Sequence, residues 1–213
     1  MRANIQQNKN QMQNGRVIWL QSCGSTNSEA QKLLESSDNL SAVAAYCQTS
    51  GRGQGSHVWT SAPGLNLTFT IILKPECLPA SECSLISCVA TLSVLDHLHS
   101  RRIDAGIKLP NDIWTQGKKI CGLLIENRLE GKTIKASLVG CGLNVNQTLW
   151  PAELPNPVSM KELSGQTYRL ETELDALLEA FSRRASLLQT PGGQRSLRED
   201  FEKMIILQEK HSI

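Results

Sequence analysis

Three cations stand among glycines and short polar side chains in this chain of 213 residues. Arg52 lies in the segment Gly51-Arg-Gly-Gln-Gly-Ser56. Glycines at alternating positions let a backbone approach a ligand and leave amide N–H groups free to face an anion. A guanidinium in such a loop can fork onto phosphate or carboxylate oxygens. Lys108 opens Lys108-Leu-Pro-Asn-Asp112, a rigid turn that carries Asn111 and Asp112 between apolar stretches. Lys119 stands at the mouth of a segment that stays apolar until Glu126, with Gly122 inside it removing a side chain where something can pack closely. A second glycine-bearing stretch, Val139-Gly-Cys-Gly-Leu-Asn-Val-Asn146, carries Asn144. Trp59, eight residues past Gly51, reads either as core or as a platform that closes with the loop.

Taken singly, these segments have plainer readings: a surface loop, an Asx turn, β-bulges. Together they describe a glycine-lined cleft with Arg52, Lys108 and Lys119 as its cations. Such a site binds and activates an anionic substrate by electrostatics. No Ser/His/Asp set and no His-based metal site emerges. Cys77, Cys83, Cys88, His97 and His99 match no common ligand spacing. The seven cysteines are odd in number and include no CxxC, so the expectation is reduced, mostly buried thiols in a cytoplasmic protein.

The elements that must hold these residues follow from hydrophobic pattern. Strands are expected over 16–20, 41–47, 66–73, 103–108, 113–115, 119–129 and 133–146. Thr26 with Glu29 three residues on is a capping-box pattern for a helix over 27–35. A second helix should open near Pro79 and run to Ser100, apolar around much of its circumference. An amphipathic helix is marked by Leu170, Leu174, Leu177, Phe181 and Leu188; Gly192-Gly193 should break it, and a last helix should run from Ser196 toward Lys210. The fold class expected is α+β, a mixed and mainly antiparallel sheet with packed helices, with residues 16–213 forming one domain. Residues 1–15, polar and rich in Asn and Gln, read as a disordered tail without the apolar core of a signal peptide. No run of 18 apolar residues is present, so no membrane span or membrane partner is expected. A net charge of +2, from 22 basic and 20 acidic residues, is too small to make nucleic acid the main partner.

Ser25-Thr26-Asn27, Gln48, GRGQG at 51–55, Trp59, K-x-PND at 108–112, GKKICGLLIE at 117–126 and GxGLNVN at 140–146 occur in this order. In order and separation they resemble the biotin–protein ligases (biotin–[acetyl-CoA-carboxylase] ligases), over residues 16–210. The resemblance implies a two-step reaction. Biotin and ATP give biotinyl-5′-AMP and pyrophosphate, with Mg²⁺ accompanying the nucleotide. A lysine of a biotin carboxyl carrier protein then attacks the mixed anhydride and releases AMP.

By the same resemblance, Ser25, Thr26, Asn27 and Gln48 would hold the ureido ring of biotin. Gly122 would let the bicycle sit close, and Arg52, Gly53 and Gln54 would lie in the loop over its tail. Lys119 would meet the reacting carboxylate and phosphate. Trp59, Lys108, Asn111, Asp112 and Asn144 would serve the nucleotide. Arg52, Lys119 and Asp112 are the catalytic candidates, with Asp112 assisting deprotonation of the incoming lysine.

The chain also departs from the pattern. Leu109 replaces the usual Trp of KWPND, and the loop has one Arg where many relatives have two. No winged helix–turn–helix precedes the catalytic segment, so neither a repressor role nor a DNA partner is expected. The small SH3-like domain that usually follows is expected to be absent, since the sequence ends at Ile213 where it would begin. A homodimer through a sheet edge occurs in similar enzymes and remains open here. Two other readings stand beside this one: a non-catalytic biotin- or adenylate-binding paralogue, and a relative of the lipoate ligases and octanoyltransferases.

Overall fold

The computed structural model describes residues 15–206. The tail expected over 1–15 lies, except for Gly15, outside the described residues. In chain order the elements are β1 (Val17–Leu20), α1 (Thr26–Leu33), β2 (Ser41–Ala45), β3 (Leu67–Leu73), α2 (Ser84–Ser100), β4 (Gly106–Lys108), β5 (Asp112–Thr115), β6 (Lys118–Glu130), β7 (Thr133–Leu143), α3 (Met160–Ser164), α4 (Leu170–Ser186) and α5 (Pro191–Lys203). Among the described residues seven strands form one sheet, in the order β1-β2-β3-β7-β6-β5-β4. Only β1 and β2 pair in parallel; the other neighbours are antiparallel. This is the mixed, mainly antiparallel α+β architecture that the strand and helix pattern implied. No helix among the described residues is long and apolar enough to cross a membrane.

Strand alternation gives the sheet two different faces. On one, Phe69 and Ile71 of β3, Val139 and Cys141 of β7 and Leu123 of β6 join a single buried cluster with α2, α4 and α5. α2 is buried around most of its circumference, from Leu85 to Leu98, because it lies between the sheet and the two later helices. Charged groups lock these helices together. Arg184 of α4 bonds Asp96 of α2 through Nε (2.7 Å) and Nη2 (2.8 Å), and reaches Asp200 of α5 through Nη1 (2.8 Å).

On the other face, α1 covers only one end. Its Ala30, with Leu34 just beyond it, packs on Val43, Ile72, Ala136 and Leu138. Farther along the same face the rows run Thr70, Gly140, Leu124 and Thr68, Gly142, Gly122, with partners directly opposite in register. Short residues where a helix would otherwise seat leave a recess.

Several ends differ from the pattern reading. α1 begins at Thr26 with Ser25 at its N-cap and no side-chain cap from Ser25, so the Thr26–Glu29 capping box does not form. Gln48 supplies the missing acceptor instead: its Oε1 takes the Thr26 N–H at 2.7 Å. Gly192 and Gly193 do not interrupt a helix; they lie in the first turn of α5. Thr190 caps that turn by accepting from Gly193 N–H at 3.1 Å, and Pro191 holds the first helical position. A first turn has no preceding carbonyls to bond, so glycine costs little there. A Cβ on Gly193 would meet the Leu187 carbonyl oxygen at 2.3 Å, so the close approach of two helix ends requires a bare Cα. α5 stops at Lys203 because the next residues line the edge of β4: Ile107 N–H bonds Met204 O at 2.7 Å and Ile206 N–H bonds Ile107 O at 2.8 Å. α3, with a complete Ser159–Glu162 capping box, was not anticipated. Only three cysteines, Cys88, Cys121 and Cys141, are buried; Cys77 and Cys83 are exposed, against the expectation of mostly buried thiols.

Candidate active site

The recess on the open face is a cavity of about 270 Å³. Its floor is the glycine pair Gly122–Gly142, directly opposite each other on β6 and β7. Trp59 lies across that floor. A Cβ on Gly142 would stand 2.2 Å from Trp59 Cε2, and one on Gly122 would stand 2.9 Å from Trp59 Cζ3. Trp59 is therefore in the cleft rather than in the core, and the space above Gly122 is taken by its indole and by the Lys119 side chain. The indole N–H is buried without a hydrogen-bond partner among the described residues.

Lys119 reaches the cleft through a break in register. β5 and β6 pair Ile113 with Cys121 and then Trp114 with Lys119, so Ile120 is an extra residue. Both Ile120 and Cys121 consequently face the core. The bulge turns Lys119 to the side that Gly122 occupies, which simple alternation would have denied it. Its Nζ lies 2.8 Å from Asp112 Oδ1, with each side chain about 30% exposed, and 5.6 Å from the Trp59 ring centre. Asp112 is opposite Gly122, and Asn111 fastens the turn by donating from Nδ2 to Leu123 O.

The other end of the cavity is built on the start of α1. Gln48 Oε1 accepts from Thr26 N–H and Oγ1–H. That fixes its amide so that Nε2 is left as a donor. Thr70 Oγ1 lies 2.6 Å from Asn27 Oδ1 and 2.9 Å from Thr26 Oγ1. Asn27 Nδ2 donates to Glu126 Oε2 at 2.8 Å. Gly140 is bare where Asn27 Oδ1 would otherwise meet a Cβ at 2.2 Å. Ser25 makes no side-chain capping bond and is one of the residues lining the cavity. This end is a fixed set of small donors and acceptors around a compact space, suited to a neutral polar ring rather than an anion.

Between the two ends runs the glycine loop. Arg52 and Val58 bridge as a tight hairpin, with Gly53 N–H bonded to His57 O (2.8 Å) and Trp59 N–H to Gly51 O (3.1 Å). Arg52 Nη2 donates to Glu126 Oε1 at 2.6 Å. Burial alone would push the Glu126 carboxyl up. The hydrogen bonds from Asn27 and Arg52, with the charges of Arg52 and Arg128, outweigh burial and hold it below the ordinary glutamate value.

The cavity is lined by Ser25, Thr26, Asn27 and Gln48 at one end and by Asn111, Asp112, Lys119 and Gly122 at the other; Arg52, Gly53, Gln54 and Trp59 come from the loop. Two sequence candidates fall outside it. Lys108 Nζ sits 3.6 Å over the Trp114 ring. Asn144 is buried just past the end of β7, donating to Val158 O (3.0 Å) and Lys119 O (3.3 Å), so it braces the backbone of Lys119. Among the residues the sequence reading passed over are Thr70, Glu126 and His57. The signals were present for two of them: hydroxyls at 68 and 70 alternate with Phe69 and Ile71, and Glu126 is an acid in an apolar strand. Among the described residues no group of three or more His, Cys, Asp and Glu side chains is placed to hold a metal ion.

The described residues thus form an α+β domain with helices packed on one face of a mixed sheet and a polar, glycine-floored cleft on the other. Comparison with known proteins makes this specific. The sequence profile of the Biotin/lipoate A/B protein ligase family matches residues 17–144. The biotin–[acetyl-CoA-carboxylase] ligase of Paracoccus denitrificans is 32% identical over 175 residues, 79% of this chain and 72% of that protein. The bifunctional ligase/repressor BirA of Bacillus spizizenii is 32% identical over 154 residues; the match takes in 70% of this chain but only 47% of that protein, so the chain spans about half its length. The solved biotin protein ligase of Aquifex aeolicus, in complex with biotin and ATP, superposes with a TM-score of 0.74 at 26% identity, over 92% of this chain and 79% of that one. The chain belongs to the Biotin/lipoate A/B protein ligase family.

Proposed function

We propose that the protein is an ATP-dependent biotin ligase. It joins biotin to AMP and passes the biotinyl group to a lysine of a biotin carboxyl carrier protein. The observation that carries the reading is the polarity of one cavity. A neutral hydrogen-bonding end built on Ser25, Thr26 and Gln48 stands opposite an end that carries Lys119, ion-paired with Asp112, and the Arg52 loop runs between them. Biotin has the matching form, a neutral ureido bicycle at one end and a carboxylate at the other. The names of the relatives, biotin–[acetyl-CoA-carboxylase] ligase among them, support the same substrate.

The first step joins two anions. The biotin carboxylate attacks the α-phosphorus of ATP and pyrophosphate leaves. Lys119 and Arg52 offset the repulsion and hold the carboxylate in line, without reorganisation at the moment of reaction. Gln48 Nε2 and the Ser25 hydroxyl face the ureido group. Trp59 and Asn111 border the nucleotide. In the second step the acceptor amine attacks the acyl carbon and AMP leaves, with Asp112 positioned to take the amine proton. Asp112 is the only carboxylate lining the cavity among the described residues. A magnesium ion entering with ATP would therefore find a single protein ligand there and draw the rest from phosphates and water, as this ion commonly does. Lys108 and Asn144 enter as supports of the turn and of the Lys119 backbone. The reading places the reaction in the cytoplasm and needs no DNA and no membrane. It also needs no second subunit, since every group named comes from one chain.

The test is incubation with ATP, labelled biotin and an apo carrier domain. Label on the carrier lysine supports the ligase. Tight biotin binding without pyrophosphate release replaces it with a non-catalytic binding module. Lys119→Ala should lower adenylate formation by at least about 10²-fold, the scale for removing a preorganised charge, and leave the fold intact. Undiminished adenylate formation by this variant would remove Lys119 from the mechanism.

A further inference from the structure

We infer that Glu126, which does not itself line the cavity, is the positioning residue that docks the Gly51–Val58 hairpin against the biotin end of the site. Its alternation on β6 puts it on the cleft face two positions beyond Leu124. Its two carboxylate oxygens serve different segments of the chain. Oε1 takes the Arg52 Nη2 proton of the hairpin at 2.6 Å, and Oε2 takes the Asn27 Nδ2 proton of α1 at 2.8 Å. Those two segments do not otherwise share a side-chain hydrogen bond among the described residues, and β6 is the rigid element between them.

The choice of side chain follows from the partners. Both are donors, and at this length only a carboxylate accepts on both arms. A glutamine would point its own NH₂ at one of them. Asn27 cannot easily answer by turning its amide, because its Oδ1 is engaged by Thr70 Oγ1 and its Nδ2 also lies 3.4 Å from Leu124 O. Arg52 spends one N–H on Glu126, leaving the rest of its fork for an anion in the cavity. Glu126 thus sets where the loop cation stands without touching substrate.

This deepens the ligase reading and rests on it for the loop's purpose, but the docking is measurable without catalysis. Hydrogen exchange of the Gly53, His57 and Trp59 amides, the N–H groups bonded within the hairpin and to Gly51, would be followed with no biotin or ATP added. In Glu126→Gln these amides should exchange about tenfold faster, the loss expected for one charge-assisted hydrogen bond. Amides of β3 and β7 should be unchanged, which certifies the fold. Arg52→Ala, a surface change that cannot unfold the sheet, should produce the same loop deprotection, and the double variant should add nothing. Glu126→Asp, which keeps two acceptors on a shorter arm, should fall between.

In adenylate formation, Glu126→Gln should raise KM for biotin about tenfold with kcat nearly unchanged, because binding must now order the loop. Unchanged loop exchange in both single variants overturns the docking role, whatever the activity. Faster loop exchange in a protein that makes no biotinyl-AMP supports the docking role and overturns the ligase reading alone.

Discussion

Gly142→Ala tests whether the glycine floor exists to seat Trp59. The new Cβ would stand 2.2 Å from Trp59 Cε2 and 2.5 Å from Nε1. Carbon contacts settle near 3.5–4.0 Å, so the indole must retreat by about 1.5 Å. β7 cannot give way, because Gly142 is paired with Thr68 on one side and Gly122 on the other. The ring can move only away from the sheet, into the cavity and toward the Lys119 ammonium. Overpacking of this kind costs about 1–3 kcal/mol. Trp59 belongs to a loop and not to the core, so the cost falls on loop seating and ligand binding. A value of about 2 kcal/mol corresponds to roughly 30-fold weaker biotin binding, while the melting temperature moves little. Calorimetric titration of biotin into Gly142→Ala, Trp59→Ala and the double variant measures the coupling directly. With the indole gone the methyl has nothing to meet, so Gly142→Ala should be nearly silent in the Trp59→Ala background. Equal losses in both backgrounds would refute the reasoning, since the methyl would then be striking something other than Trp59.

Asn144→Ala should lower both stability and activity. It takes the side-chain donor from the Val158 carbonyl and one of two donors from the Lys119 carbonyl, at about 2 kcal/mol. That is roughly 4–8 °C in Tm for a domain of this size. Thermal melts check the first effect, and a normal kcat would count against the brace on Lys119. Glu173 gives a pH dependence. It is buried, which alone would raise its pKa, but the His97 imidazole 3.1 Å away and two hydrogen bonds from the Arg101 guanidinium, with its charge, hold it below the ordinary value. A lowered native pKa contributes stability that is present above the unfolded value of about 4.3 and is lost as pH falls through the native value. Urea midpoints at pH 7 and pH 3 should therefore differ more for the wild type than for Glu173→Gln; parallel curves would mean that Glu173 contributes nothing to acid sensitivity.

Much of the site could be read before any fold was known, because its residues are unusual for their elements. Glycines at 122, 140 and 142 weaken strands that are otherwise β-branched and apolar, so they report on space and not on propensity. Gln48, Thr26 and the GRGQG loop were readable as a group through their resemblance, in order, to the biotin–protein ligase motifs. The strand pattern carried the sheet because apolar runs of this length have few other uses. What escaped was everything set by contacts distant in sequence. Glu126 meets Arg52 across 74 residues and Asn27 across 99. Nothing local in this strand says which way the Glu126 carboxylate is spent. Asn144 sits in a motif with its glycine neighbours, yet β7 ends at Leu143, so alternation no longer sets its direction and its amide is spent on the Val158 and Lys119 carbonyls. The first turn of α5 was misread because two glycines outweigh a Thr-Pro start in propensity alone, whereas the cap and the close approach to Leu187 decide the matter.

The bulge between Ile113 and Trp114 shows how the two faces of one sheet divide the work. Without it, strict alternation from Gly122 would put Ile120 in the cleft and Lys119 in the core. An apolar residue would then face the substrate and an ammonium would be buried, at a cost of several kcal/mol. One extra residue removes both faults and leaves Ile120 and Cys121 side by side in the core. Lys119 is then anchored on its own backbone: its N–H bonds Asn156 O at 2.8 Å and its carbonyl accepts from Val158 N–H at 3.0 Å. A long, flexible side chain is thus fixed at its root by backbone hydrogen bonds. This is how a lysine can act as preorganised charge. It follows that substitutions on the cleft face should change ligand affinity with little change in Tm, and those on the opposite face the reverse. Residues such as Asn144, which bond the backbone at the root of Lys119, should be the ones that change both.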